Sequence, residues 1–333
     1  MFGLVGLSCG TIHIDTLSTI YTLYNSTQYN YVGVFGYISG PSSDFTNTNI
    51  QIHITQQQVS QYVGALSGVL LALIQNILDL TIYNSCITSS YSAGLVTALS
   101  SNINVNQIYI HDSSINCSQN ILNTSDWAVS GSIIGKLLDQ NYQESKYNHV
   151  KLQQCIIQSV KIQVFHNKFW SLAGGLIGDS HITPLSIQQT IVNSSDIQAS
   201  GPVSNVVTAS GLVSYMYMQS MYQLSNIMMS NTNLKASSNT SESQSCSGLF
   251  SHVVHINDVL TFTSSVTVYL NNTIITNISI SVIGASNLSG IILCNNKNLQ
   301  FIANQVSTEG INTINGVTIQ NCASVVNQSQ SGC

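Results

Sequence analysis

The sequence predicts an all-β protein: a right-handed parallel β-helix of about nine to ten coils, with about three short strands in each coil. Three observations carry this prediction. A short phrase anchored on a small residue recurs every 30 to 43 residues, a second phrase follows it at a similar offset, and strand-like alternation fills the space between them. Repeats of this length are typical of solenoids, in which each unit packs only against its neighbours.

The first phrase is a small residue followed by two apolar residues and usually by another small residue. Its anchors are Gly3, Gly33, Gly64, Gly94, Ser132, Gly175, Gly211, Gly248 and Gly290, with a weaker tenth at Gly316. Glycine suits a tight bend, or a close approach of backbone from the next coil, where a Cβ has no room. We therefore expect each phrase to form a corner of the coil, with its aliphatic residues stacked inside at about 4.8 Å per coil. The predicted interior column is Val5, Phe35, Leu66 and Val96.

The second phrase is a polar pair, one variable residue and an aliphatic residue, and it ends 21 to 24 residues after an anchor. It reads NSCI, DSSI, QQCI, SSDI and NTNL, ending at Ile87, Ile115, Ile156, Ile197 and Leu234. In the segments between the two phrases, such as TIHID and ISISV, apolar and polar residues alternate with the period of two that is typical of strands. Parallel strands joined by such crossovers wind in a right-handed sense.

The composition restricts the classes of partner. Only 6% of the residues are charged, no arginine occurs, and all seven basic residues are lysines. Because no cationic track can follow phosphates, the composition excludes nucleic-acid binding. Polarity comes instead from 34 Asn, 51 Ser and 25 Thr residues, which can stack on identical neighbours without charge repulsion.

We expect one domain at 1–322, with an excursion from the rod at about 133–170 and a polar tail at 323–333. The most apolar stretch, Tyr62–Leu80, is interrupted by polar residues, so we expect buried strands there and no membrane span. The opening segment has no charged region of the kind that begins a secretory signal. The repeat starts at Gly3 without a polar cap, which leaves an open strand edge that further coils or another molecule would cover.

The eight cysteines contain no CxxC motif, which argues against zinc and against thiol catalysis. Cys86 and Cys155 are predicted to share a register two coils apart, too far for a disulfide, with Cys117 out of step between them. The candidate disulfide joins Cys322 to Cys333. Free thiols at core positions explain the even count equally well.

The glycine-anchored phrase followed about twenty residues later by an Asn-Ser-x-Ile strand resembles the repeats of GLUG-motif proteins. The resemblance spans about Gly3 to Cys322, although the repeats here are longer and lack the glycine-rich second half. It implies the pectin-lyase-like β-helix shape and a surface or secreted protein, often adhesive. It carries over no catalytic residues.

No catalytic residue, metal site or cofactor is predicted. Asp15 and Asp44 lie at nearly equal offsets with His13 close by, but aspartates that cap turn amides explain the same pattern. Among the histidines only His111 and His149 match in adjacent coils, and two histidines make a poor metal site. A polysaccharide hydrolase or lyase therefore remains the minority interpretation.

Nine glycosylation sequons occur, about as many as chance predicts from the Asn, Ser and Thr content. They begin at Asn25, Asn116, Asn123, Asn193, Asn239, Asn271, Asn277, Asn287 and Asn327. The region between the two tryptophans holds five of the seven lysines, so it is a candidate contact patch, with a solvated loop as the alternative. The candidate partner contacts are Trp127, Lys136, Lys146, Lys151 and Trp170.

The expected function is that of a non-catalytic, extended repeat protein of a cell surface or secreted layer, acting as spacer, adhesin or assembly unit. The alternative is a protein that binds or processes neutral glycans in a groove on one solenoid face. Aromatic side chains aligned on one outer face would favour this alternative. The expected partners are other surface proteins, neutral glycans or copies of the chain itself.

Overall fold

A computed structural model describes most of the chain, and every regular secondary-structure element in the described part is a β-strand. The described residues are 5–25, 30–56, 61–71, 74–101, 103–119, 127–138, 150–181, 185–202, 206–218, 222–239, 243–255, 266–283, 286–290, 293–296, 299–309, 311–314, 317–320 and 323–324. The all-β prediction is therefore confirmed for these residues.

The strands are short and follow one another closely along the chain. In order they are β1 (Val5–Ser8), β2 (Ile12–Ile14), β3 (Leu17–Asn25), β4 (Tyr31–Val32), β5 (Phe35–Ile38), β6 (Ser42–Gln56), β7 (Tyr62–Gly64), β8 (Ser67–Leu70), β9 (Ile74–Tyr83), β10 (Cys86–Ser89), β11 (Ser92–Gly94), β12 (Thr97–Ser100), β13 (Asn104–His111), β14 (Ser114–Gln119), β15 (Ala128–Gly131), β16 (Ile134–Leu137), β17 (Val150–Gln158), β18 (Lys161–His166), β19 (Trp170–Gly174), β20 (Ile177–Ser180), β21 (Leu185–Asn193), β22 (Asp196–Gly201), β23 (Val206–Ser210), β24 (Val213–Met218), β25 (Tyr222–Ser230), β26 (Asn233–Ser238), β27 (Ser243–Ser247), β28 (Phe250–His255), β29 (Val266–Thr276), β30 (Ser279–Ile283), β31 (Ser286–Gly290), β32 (Leu293–Asn296), β33 (Leu299–Glu309), β34 (Ile311–Ile314), β35 (Val317–Gln320) and β36 (Ala323–Ser324).

These strands form three sheets in which sequence-distant strands are neighbours, as in a parallel β-solenoid. Sheet A contains β4, β7, β11, β15, β19, β23, β27 and β31, and sheet B contains β1, β5, β8, β12, β16, β20, β24, β28 and β32. Sheet C contains the remaining 19 strands. The pairings within sheets A and B are all parallel, and each links one repeat to the next.

The far end of sheet C departs from this rule. β35 pairs with β34, and β36 pairs with β33, and both pairs are antiparallel. Ala323 and Ser324 thus belong to the sheet, although the sequence analysis placed them in the polar tail. Cys322 and Cys333, the candidate disulfide, lie outside the described residues.

Glycine marks the corner between sheet A and sheet B. Gly64, Gly94, Gly131 and Gly174 occupy one register row, so the predicted anchors Ser132 and Gly175 are wrong by one residue. A Cβ built on Gly64 would overlap the carbonyl oxygen of Ser67, and one on Gly174 would overlap that of Ile177. The corner is thus too tight for a side chain at these two positions, which is the physical reason for the recurring phrase.

The predicted interior column is wrong by one residue. Phe35 is in register with Val5 on one side and with Ser67 on the other. Leu66 and Val96 are buried in the corner itself, where their carbonyls accept hydrogen bonds from the Phe35 and Ser67 amides of the preceding repeat. The repeat that begins at Gly33 reaches sheet B one residue sooner than the repeat that follows it, and this shortening displaces the alignment.

The second phrase has a specific physical basis. In NSCI, Asn84 adopts a positive φ of 45°, Ser85 is buried and Ile87 points into the core. The Ser85 hydroxyl accepts a hydrogen bond from the Ile52 amide of the preceding repeat at 3.0 Å. Ser113 does the same for the Ser85 amide at 3.1 Å. The hydroxyls of Ser85 and Ser113 therefore each satisfy a backbone donor at a corner.

QQCI is not part of this row, contrary to the sequence analysis. Ile115 pairs with Ile162, not with Ile156, and Ile162 pairs with Ile197. The matching phrase is SVKI, in which Ser159 takes the positive φ. Cys155 consequently does not share a register with Cys86, because it pairs with Ile108 in the long strand.

All fourteen described non-glycine residues with positive φ fall in two rows that run along sheet C. One row is Asn47, Asp79, Gln107, Gln154, Gln189, Asn226, Asn272 and Gln305, and the other is Asn84, Asp112, Ser159, Ser194, Asn231 and Asn277. Asn and Asp tolerate this conformation better than other residues. Their side chains also bond along the row, for example Asn272 Nδ2 to Asn226 Oδ1 at 2.6 Å. These rows explain part of the amide-rich composition.

The core lies inside the three sheets and is built from rows of inward-facing residues, one residue from each repeat. One such row of sheet C is Ile50, Ile82, Ile110, Ile157, Val192, Met229 and Ile275, and every member is buried. All members of this row belong to one hydrophobic core cluster, in which like residues stack on like residues.

Three buried acidic groups predict a loss of stability at high pH. Burial raises the pKa of the Cys117 and Cys155 thiols from 9.0 to about 12, and it raises the pKa of the Tyr222 phenol above its ordinary value. The unfolded chain releases these protons first, so each thiol lowers the free energy of unfolding as the pH rises from about 9 toward about 12. Below pH 8 they should have no effect.

Urea unfolding at pH 7, 8, 10 and 11 measures this dependence. The double variant Cys117→Ala, Cys155→Ala should lose less stability between pH 8 and pH 11 than the parent chain. Equal losses in the two proteins would show that these thiols do not control the effect.

Candidate functional site: an aromatic row where sheets A and B meet

The two tryptophans of the chain lie together, although 43 residues separate them. Trp127 directly precedes β15 and Trp170 opens β19, the next strand of sheet A. Their rings are stacked, with centroids 4.1 Å apart and an angle of 16°. Beneath them Val129, Leu172 and Tyr215 form a small buried cluster separate from the main core. Packing against this cluster and against each other holds the indoles in place.

Lys136, in β16 of sheet B, lies against these rings. Its Nζ is 4.6 Å from the centroid of Trp127 and 6.0 Å from that of Tyr91. A cation at this distance is attracted to the negative face of an aromatic ring. Lys136 therefore fills the space between the tyrosine of one repeat and the tryptophan of the next.

Asp179 is the register partner of Lys136 in the adjacent strand β20. Its Oδ2 lies 3.5 Å from Lys136 Nζ and 3.0 Å from His181 Nε2. The carboxylate is fully buried, whereas 12% of the Lys136 side chain and 29% of the His181 side chain are exposed. Asp179 Oδ1 has no hydrogen-bond partner in the described part of the chain. A buried carboxylate in this position requires its cationic neighbour.

Further rings extend the stack toward the beginning of the chain. Tyr31 and Tyr62 are 5.6 Å apart between centroids, and Tyr62 and Tyr91 are 4.9 Å apart. At the other end Trp170 lies 4.9 Å from Tyr215. We call the set Tyr31, Tyr62, Tyr91, Trp127, Trp170 and Tyr215 the aromatic row. All except Tyr215 are partly exposed, so the row presents aromatic surface along one side of the molecule.

Three of the five candidate partner contacts are brought together here: Trp127, Lys136 and Trp170. Lys151 lies elsewhere, exposed in β17 of sheet C and in register with Asn104 and Ser186. Lys146 lies outside the described residues. Proximity in sequence grouped these lysines, whereas the register of the sheets separates them.

Asp179, His181 and Tyr215 were missed by the sequence analysis. A signal existed for Asp179, because it follows its anchor Gly175 by four residues, as Lys136 follows Ser132. Equal offsets in successive repeats place residues side by side. Tyr215 carries no comparable signal, because its burial depends on the tryptophans above it.

The predicted neighbouring aspartates do not align. Asp44 is in register with His13, and Asp15 lies two residues further along. Asp44 Oδ1 instead accepts a hydrogen bond from Asn76 Nδ2 at 2.7 Å. Among the described residues, no three His, Cys, Asp or Glu side chains are grouped closely enough to hold a metal ion. His149, the predicted partner of His111, is outside the described part.

The sequons differ in their surroundings. Asn116, Asn239, Asn271 and Asn277 are exposed. The amides of Asn193 and Asn277 are engaged in the ladders of sheet C, where Asn193 Oδ1 accepts from Ser230 at 3.0 Å and Asn277 Oδ1 from the Ile311 amide at 2.9 Å. The structure describes nothing of the side chains at Asn25, Asn123, Asn287 and Asn327.

Comparisons with known proteins add evidence on the fold. No family model and no curated protein matches the chain. Among solved structures, it is similar to a putative immunoglobulin A1 protease from Bacteroides ovatus, with a TM-score of 0.52 and 12% identity over 93% of this chain and 81% of that chain. At this identity the likeness shows the fold alone. In the described residues, no helix has the length and apolar character needed to span a membrane.

Proposed function

We propose that the chain is a non-catalytic, extended repeat protein of a cell surface or secreted layer, wound as a right-handed β-helix of nine to ten GLUG-like coils. It works as a rigid spacer and adhesin, and the aromatic row is its contact surface. The observation that carries this proposal is the alignment of partly exposed rings from successive repeats on one side of the molecule.

The row has the properties of a binding surface. Aromatic side chains supply a large contact area and lose little conformational entropy on binding, because they have few rotatable bonds. These rings are already fixed by stacking on each other, and Lys136 is paired with Asp179. The surface therefore carries little net charge, which fits an uncharged partner better than an acidic one.

Adhesion between coated beads tests the proposal. Beads carrying the chain are mixed with beads carrying the same chain, a neutral β-glucan, or an inert carrier protein. We expect adhesion to at least one of the first two, and loss of that adhesion in the variant Tyr62→Ser, Tyr91→Ser. The control is Tyr109→Ser, an exposed tyrosine on sheet C.

Adhesion to neither the chain nor the glucan would contradict the proposal. The same conclusion would follow if the row variant, shown to be folded by circular dichroism, adhered as well as the parent chain.

A neutral glycan is the second candidate ligand, because the alignment of rings on one outer side is the feature that a glycan-binding groove requires. One observation weighs against it. Trp170 stacks on Trp127, and Lys136 Nζ lies 4.6 Å from the Trp127 centroid, so less of this ring remains for a sugar. The role of spacer and adhesin is therefore favoured over glycan binding alone.

Tryptophan fluorescence separates these candidates without mutation, since both tryptophans of the chain belong to the row. Titration with neutral oligosaccharides should change the emission if glycans bind there. Unchanged emission, together with retained adhesion between chain-coated beads, would favour self-association, and light scattering would then detect complexes larger than a monomer.

A further inference from the structure

The Lys136–Asp179 pair combines features that favour a covalent reaction. The two residues face each other in neighbouring parallel strands, with Lys136 Nζ 3.5 Å from Asp179 Oδ2. The carboxylate is fully buried and the lysine nearly so. We propose that the two side chains are joined by an amide bond between Lys136 Nζ and Asp179 Cγ.

The bond requires no reagent from outside the pair. A proton moves from the Lys136 ammonium to the Asp179 carboxylate, which gives a neutral amine and a carboxylic acid. The amine lone pair attacks Cγ, the bond between Cγ and Oδ2 breaks, and Oδ2 leaves as water with two protons that were on Nζ. Lys–NH3⁺ and Asp–COO⁻ thus become one amide and one water, with no change of oxidation state.

His181 is placed to move the proton. Its Nε2 lies 3.0 Å from Oδ2, the oxygen that leaves, and the same oxygen faces Lys136 Nζ. Near neutral pH an imidazole can accept a proton from the attacking nitrogen and then donate it to the departing oxygen. His181 is therefore assigned as the residue that assists the reaction.

The surroundings limit the access of water to the pair. Val129, Leu172 and Tyr215 form a buried cluster beside Trp127, whose ring centroid lies 4.6 Å from Lys136 Nζ. Exclusion of water from the site favours the condensation, because water is one of its products. Asp179 Oδ1 is buried without a partner among the described residues, and the amide removes that half-satisfied charge.

Proximity replaces activation of the carboxyl group. Groups held near contact distance by a rigid framework react as though at very high concentration, with effective molarities of about 10⁵ M or more in well-oriented cases. The product would tie one repeat to the next on the outer side of sheet B. This inference does not depend on the ligand of the aromatic row.

Intact-mass spectrometry of the denatured full chain tests the proposal. We expect a mass lower by one water than the sequence requires, and tandem spectrometry of a protease digest should find one branched peptide joining Lys136 to Asp179. Localisation to this peptide distinguishes the bond from dehydration elsewhere. The mass of the unmodified sequence, in protein shown to be folded, would overturn the proposal.

Variants check the assignment of each residue. Lys136→Arg and Asp179→Ala should restore the full mass, whereas Lys151→Arg should keep the loss of water. His181→Gln should slow the loss, measured as the cross-linked fraction against time after refolding from denaturant. If His181→Gln loses water at the same rate as the parent chain, His181 does not assist the reaction. The mass of the parent chain alone then decides whether the cross-link exists.

Discussion

Gly178→Val should unfold or strongly destabilise the protein. A Cβ on Gly178 would lie 2.6 Å from Val129 Cγ1 and within 2.8 Å of the carbonyl oxygens of Ser130 and Gly135. Those carbonyls belong to backbone that cannot move without breaking the sheets. Overpacking of this kind typically costs about 1–3 kcal/mol and occasionally more.

The matched control is Gly10→Val, because a Cβ at Gly10 would meet nothing within 4 Å. We expect the control to change the free energy of unfolding by less than about 0.5 kcal/mol. Urea unfolding of the two variants measures the difference. Equal stability of both would show that sheets A and B do not pack closely at Gly178.

Ile157→Ala should lose about 2–5 kcal/mol of stability, because it removes a fully buried side chain and leaves a cavity that neighbouring repeats fill only in part. The adjacent residue provides the control. Ile156 is 38% exposed on the opposite face of the same strand, so Ile156→Ala should lose less than about 1 kcal/mol.

The same substitution at consecutive residues isolates the direction of the side chain. Thermal and urea unfolding should rank Ile157→Ala well below Ile156→Ala. The reverse order would mean that the strand faces the other way, and every inward row of sheet C would then need to be reassigned.

Much of this fold could be predicted because each repeat uses the same solution. A corner glycine, a buried serine and the alternation of apolar and polar residues in strands can each be recognised in the sequence. The register could not be predicted to the residue. The corner that begins at Gly33 is one residue shorter than the next corner. QQCI has the sequence pattern of the second phrase, but SVKI occupies its position in the register. Only pairing between strands decides such cases.

The site was predictable only in part. The tryptophans stand out because they are rare, and Lys136 lies between them in sequence. Their contact depends on register, because β15 and β19 are neighbours and carry the indoles to the same edge. The position of Asp179 beside Lys136 could have been predicted from its offset of four residues after its anchor. The burial of Asp179 could not have been predicted, since it follows from packing between two sheets.

The central claim is that successive repeats stack along one axis in register. The exposed positions Asn76, Lys151, Gln223 and Tyr269 lie in one row of sheet C. Spin labels at these positions allow pulsed electron resonance to measure the distance from Asn76 to each of the others. Two, four and five strand spacings separate them, so the distances should be about 10, 19 and 24 Å. Distances that fail to increase in this order and in these steps would contradict the claim.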